Sequence, residues 1–171
     1  MLLFAHLGIT LAAARYVGKS DIALLALGSM LPDIIDKPLG LIAFGTPNMG
    51  RIFCHTLLFF LILVALAVLS KKMWLYSLAG GTFAHLVLDF MWNSPVTLFW
   101  PILGSFPQVV YLDTITYLQI LLLGLREPLV FVREFLGLAY ILFFAWEMKI
   151  PAKTSCINGA KTLWQIVLDI L

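Results

Sequence analysis

The fold class predicted by the sequence is an all-α integral membrane protein with about four transmembrane helices, an N-terminal helical segment and interfacial loops. Three observations lead there. Of 171 residues, 62% are hydrophobic and 12% charged, with a mean hydropathy of +1.02, well beyond an ordinary soluble domain. The apolar residues run in stretches near the ~20 residues that cross a bilayer as helix. Proline, glycine and charge gather between those stretches. The length suits a single helical membrane domain over residues 1–171, since four helices of ~20 residues take about half of it.

Taken in order, residues 2–17 (LLFAHLGITLAAARYV) form a helix ending near Gly18, and after KSD a shorter apolar stretch covers 22–31. Both are short for a span. Residues 28–51 (GSMLPDIIDKPLGLIAFGTPNMGR) hold three prolines and read as a long irregular connection carrying Asp33, Asp36, Lys37 and Arg51. Ile52 to Ser70 and Met73 to Trp92, separated by Lys71 and Lys72, form a transmembrane hairpin. Residues 93–108 (NSPVTLFWPILGSFPQ), uncharged and with three prolines, are an interfacial or re-entrant loop, with Trp92 and Trp100 suited to headgroup depth. Residues 109–125 and 128–147 supply two more helices, the first interrupted by Asp113 and the second by Arg133 and Glu134. From Lys149 a mildly amphipathic tail lies along the interface.

Charge and cysteine exclude several classes. A net charge of +2, with no basic run longer than Lys71–Lys72, argues against nucleic acid. Cys54 and Cys156 form neither a disulfide framework nor a zinc-finger pattern. The apolar start has no basic residue ahead of it and contains His6, so it is expected to stay in the mature chain. Lys37, Arg51, Lys149, Lys153 and Lys161 on one side against Lys71, Lys72, Arg126 and Arg133 on the other set no membrane orientation.

The stretch FAHLVLDF, 83–90, places His85 and Asp89 on one helix face. A charged group at mid-bilayer costs about 2.5–3.5 kcal/mol on insertion scales, so such a pair either satisfies itself or serves a ligand. His55 near the start of one hairpin helix and Asp89 and His85 near the end of the other fall at one depth, ~4.5 to ~10 Å below the surface. The segment bearing His6 and the loop bearing Asp33 and Asp36 approach at that level. Imidazole and carboxylate are the ligands Zn²⁺ takes in catalytic sites, with one position left for water. The candidate metal ligands are therefore His6, Asp33, Asp36, His55, His85 and Asp89, with Arg51 as a phosphate contact. Blander readings stand beside these: Asp33 as a helix cap, Asp36–Lys37 as a surface ion pair, Arg51 as an interfacial anchor, and Arg133–Glu134 as structural or surface charges.

The order His6, LPDIID (31–36), Arg51, His55-Thr56, His85-x-x-x-Asp89 and Pro101 resembles the YdjM-like, membrane-bound predicted metal-dependent hydrolases over residues 1 to about 101. That family is in turn similar to zinc-dependent phospholipase C and related single-strand nucleases. The resemblance implies His85 and Asp89 as a helix-borne ligand pair, His55 and His6 as further ligands, and Asp33 or Asp36 as the loop carboxylate. Gly50 stands where many relatives have histidine, and no histidine follows Asp89. One or two divalent ions, with Asp89 bridging, are thus expected rather than three.

The expected activity is a metal-dependent hydrolysis of a phosphoester, a phospholipid or another amphipathic phosphate, in a prokaryotic-type cell membrane. Asp33 or Asp36 would take the proton of a water and Arg51 would hold the phosphate. The rival readings are an ion or proton transporter, a haem-binding protein and a non-enzymatic scaffold. Membrane lipids are the expected partners; oligomeric state is open.

Overall fold

The computed structural model describes residues 3–15 and 21–149, and every regular element among them is helical. The helices are α1 (Leu3–Ala14), α2 (Ile22–Phe44), α3 (Leu57–Ser70), α4 (Met73–Leu88), α5 (Pro95–Leu98), α6 (Thr114–Gly124) and α7 (Pro128–Lys149). By backbone packing the chain divides into two units, residues 1–141 and 142–171. The tail expected along the interface falls, from residue 150, outside the described residues.

α2 corrects the largest expectation. The irregular connection predicted from residue 28 is helix as far as Phe44, with Pro32 and Pro38 inside it. Proline in a helix interior removes one N–H and frees the carbonyl four residues earlier. Here that carbonyl belongs to Gly28, and the Thr82 hydroxyl of α4 lies 3.3 Å from it, sharing its one hydrogen with the Leu78 carbonyl at 3.0 Å. The next carbonyl, Ser29, accepts from Nδ1 of His85 at 2.7 Å. α4 thus reaches the backbone that Pro32 exposes, and the helix continues. Asp21 caps its start through Ala23 and Leu24 N–H. Gly45, at φ 70°, closes its end in the left-handed conformation.

α4 comes that close because glycines meet at the crossing. A Cβ on Gly28 would overlap the Leu78 carbonyl, and one on Gly81 the Leu25 carbonyl. Backbone lies against backbone, the arrangement small residues allow between apolar helices. Gly8 of α1 and Gly137 of α7 form a second contact of the same kind.

The hairpin is shorter than expected. Thr56 accepts from Phe59 N–H at 3.1 Å, so α3 begins at Leu57 and His55 lies in a 3₁₀ turn, Phe53–His55, ahead of it. α4 ends at Leu88, with Asp89 as its C-cap. The predicted helix over 109–125 shrinks to the eleven residues of α6, capped by Asp113. Among the described residues only Pro128–Glu147, 20 residues, is long and apolar enough to cross a bilayer; α3, α4 and α6 are apolar but shorter. Within the proline-rich segment, residues 95–98 are helical as α5. The strand of chain that follows is tied down where the Thr46 hydroxyl donates to the Leu112 carbonyl at 2.9 Å and the Asn48 amide to that of Val110 at 2.9 Å.

Candidate metal centre

The centre is built outward from Asp36, whose side chain is fully buried. Its carboxylate accepts from the backbone N–H of Ile52 at 2.9 Å, Cys54 at 3.0 Å and His55 at 3.1 Å, closing the turn that precedes α3. Its Oδ2 also accepts from Nδ1 of His55 at 2.7 Å. His85, equally buried, is held through Nδ1 by the Ser29 carbonyl. Carboxylate and carbonyl have no hydrogen to give, so both Nδ1 atoms carry one. In the neutral rings both Nε2 atoms then present lone pairs, and they stand 3.1 Å apart. Two facing lone pairs in a dry interior repel unless something electrophilic lies between them.

Carboxylates close around the same point. Asp33 Oδ1 lies 3.6 Å and Asp89 Oδ2 3.9 Å from Nε2 of His55. Donors on a tetrahedral Zn²⁺ at ~2.05 Å sit about 3.3 Å from one another, a spacing these contacts bracket. His6, stacked on His85 with ring centroids 4.3 Å apart, reaches Asp89 Oδ1 at 3.1 Å through Nε2. Two groups of potential ligands result, Asp33–His55–His85 and His6–His85–Asp89, and His85 belongs to both. The donors, all imidazole and carboxylate, fit one or two zinc-type ions.

Cations stand at the outer edge. Arg51 Nη2 contacts Asp89 Oδ2 at 2.9 Å, and Lys37 Nζ contacts Asp33 Oδ2 at 2.8 Å. Asp33, Lys37, Arg51 and Asp89 form the polar floor of an open cavity of about 710 Å³. His55 and His85 lie behind that floor, so a molecule in the cavity meets the two carboxylates first. Apolar lining comes from Pro107 and Val109, from Ile120 and Leu121 of α6 and from Val130 of α7.

The profile of the family described as YdjM inner membrane protein matches residues 1–155. The chain belongs to that family. No curated protein and no solved structure matches it. Membership of the YdjM family places the chain among membrane proteins, in keeping with its composition.

Of the six ligand candidates in this YdjM family chain, five come together: His6, Asp33, His55, His85 and Asp89. Asp36 lies outside both groups, its oxygens committed to the 52–55 turn and to Nδ1 of His55. Such a partner orients a ligand rather than serving as one. Lys37 pairs with Asp33, one turn back, rather than with Asp36. Arg51 joins the cluster directly.

One contributor escapes the sequence reading. Glu134, expected as a structural or surface charge, is 6% exposed and accepts from the N–H groups of Phe4 at 3.0 Å and Ala5 at 3.3 Å. It thereby anchors the first turn of α1, from which His6 projects, in the position an acidic group favours at a helix N-terminus. The available signal was an acidic residue, beside Arg133, in the interior of an apolar 20-residue run.

Proposed function

We propose that this chain is a membrane-embedded, metal-dependent hydrolase of phosphoesters, with α3, α4 and α7 held in the bilayer and the ligand cluster near one face. The observation that carries it is the pair of Nε2 lone pairs at 3.1 Å, flanked by two carboxylates that also floor a cavity. His55 and His85, with Asp33, would hold one ion; Nε2 is the single open lone pair of His85, so a second ion would rest on His6 and Asp89 without that ring. A divalent ion of the zinc type supplies, when bound, the acidification of a water from 15.7 toward ~7 and charge stabilisation on phosphoryl oxygens.

The remaining work belongs to the protein. Asp33 lines the cavity with Oδ2 on Lys37 and Oδ1 turned toward Nε2 of His55, and it would act either as a ligand to the ion through Oδ1 or, left off the ion, as the acceptor of a proton from water. Arg51 keeps donors beyond the one directed at Asp89, and its planar fork suits two phosphate oxygens at once. Asp36 and the Ser29 carbonyl hold the imidazoles in the tautomer that leaves Nε2 open. The reaction class follows from the resemblance of the motifs to the YdjM-like family, taken as distantly similar to zinc-dependent phospholipase C.

Purified protein, reconstituted with Zn²⁺ or Mn²⁺, is screened for phosphate release from lipid and soluble phosphoesters beside Asp33→Asn and Arg51→Ala variants. Turnover that drops on the order of a hundredfold or more in Asp33→Asn, the scale of a lost general base, supports the reading. Metal-loaded protein inert on every ester would leave a metal-binding scaffold instead.

A further inference from the structure

The glycines differ in what holds them. At Gly8, Gly28, Gly40, Gly81 and Gly137 a Cβ would run into the backbone of another segment. At Gly124, the last residue of α6, a Cβ would meet nothing within 4 Å, and its backbone is not in the left-handed region. Neither close packing nor an unusual conformation explains this glycine. It does, however, line the cavity, beside Tyr117, Ile120 and Leu121 of α6 and Val130 of α7. α6 has no buried residue, and Ile120 is 49% exposed. Part of the cavity's apolar lining therefore comes from a helix with no fully buried side chain, and the same cavity is lined by Arg51 and Lys37.

We infer that the cavity binds an amphipathic phosphate, with the phosphate beside Arg51 and Lys37 and the hydrocarbon chain along α6, and that Gly124 keeps the end of the chain slot open. Arg51 and Lys37, each paired with one carboxylate and each holding further donors, fix the polar end, and the side chains of Tyr117, Ile120, Leu121 and Val130 fix the apolar end. A volume of about 710 Å³ is in the range of small-molecule sites. This assignment rests on the phosphoester reading for the nature of the head group, and it names Gly124 and Ile120 as determinants of chain length.

The test uses the full chain in detergent, stripped of metal, with inorganic phosphate and its butyl, octyl and dodecyl monoesters as probes, and affinities from calorimetry. Wild type should bind dodecyl phosphate more tightly than butyl phosphate, and inorganic phosphate least. In Gly124→Leu the ratio of dodecyl to butyl affinity should fall on the order of tenfold, the equivalent of about two methylenes losing their seat. Partition into micelles is common to both proteins and cancels in the comparison. Ile120→Phe, which narrows the slot from a half-exposed position, should lower the same ratio and carries the test alone if Gly124→Leu does not fold. A ratio unmoved in both variants, or inorganic phosphate bound as tightly as the dodecyl ester, overturns the inference. Phosphate release by metal-loaded protein is scored separately: a falling ratio without any release leaves the slot standing and removes the hydrolase reading.

Discussion

The crossing of α2 with α4 and the wall formed by α6 differ in how they are held. At the crossing, backbone touches backbone at Gly28 and Gly81, and Thr82 and His85 reach carbonyls that Pro32 leaves accessible. Asp36 ties the start of the hairpin to the same helix. On the α6 side, eleven residues contribute nothing to the buried interior. The difference separates two tasks. Placing imidazoles within a few tenths of an ångström requires groups that cannot shift, because a ligand misplaced by an ångström no longer shares an ion. Accepting a hydrocarbon chain requires apolar surface that is not already used.

Substitutions should therefore act very unequally across the two regions. Gly81→Leu inserts a side chain against the Leu25 carbonyl and the Ser29 nitrogen, 2.7 Å from the new Cβ. Overpacking ordinarily costs ~1–3 kcal/mol, and with backbone on the receiving side the loss should exceed ~3 kcal/mol. Little monodisperse protein should survive size exclusion, whereas Gly124→Leu should elute like wild type. Equal behaviour of the two would erase the contrast.

Asp36→Ala comes next. It deprives three N–H groups and Nδ1 of His55 of their acceptor in a buried site, a loss of about 3 kcal/mol or more. Because His55 also loses its orientation, zinc affinity should fall ~10–100-fold, read by competition with a chelating dye. Stability lost with unaltered zinc affinity would sever Asp36 from the metal centre.

Thr82→Val keeps the shape and removes only the hydroxyl that reaches Gly28. A cost of about 1 kcal/mol, visible as a small drop in unfolding temperature, is expected. No change would mean that the carbonyl exposed by Pro32 needs no partner.

The smallest effect belongs to α6. The Thr116 hydroxyl, together with the N–H groups of Thr116 and Ile115, holds the exposed Asp113 carboxyl below its ordinary value of 3.8. A lowered folded-state value means that the cap contributes above the unfolded value and is lost as pH falls from there toward the folded one. Hydrogen exchange at the first turn of α6 should quicken only in that acidic window, and Asp113→Ala should make it fast at neutral pH.

Much of this arrangement was legible from the chain. The apolar runs and the Lys71–Lys72 break locate α3 and α4, and the conjunction of His55, His85 and Asp89 at one depth follows from their antiparallel course. Three things were not. Pro32 reads as a breaker because a local rule counts only the bonds a helix makes with itself, while Thr82 and His85, far along the chain, contact the Gly28 and Ser29 carbonyls beside it. Asp33 and Asp36 looked equivalent, and only the course of α2 shows that one turns toward His55 Nε2 and the other toward Nδ1. Glu134 was obscured likewise, since its partners are N–H groups at the opposite end of the sequence.

The most direct test is the metal content of detergent-purified protein, measured by elemental analysis after dialysis against trace zinc, for wild type and for a His55→Ala, His85→Ala double variant. Facing Nε2 lone pairs flanked by two carboxylates predict about one or two ions per chain in wild type and a near-complete loss in the variant. Equal, negligible metal in two proteins that both remain folded would contradict it.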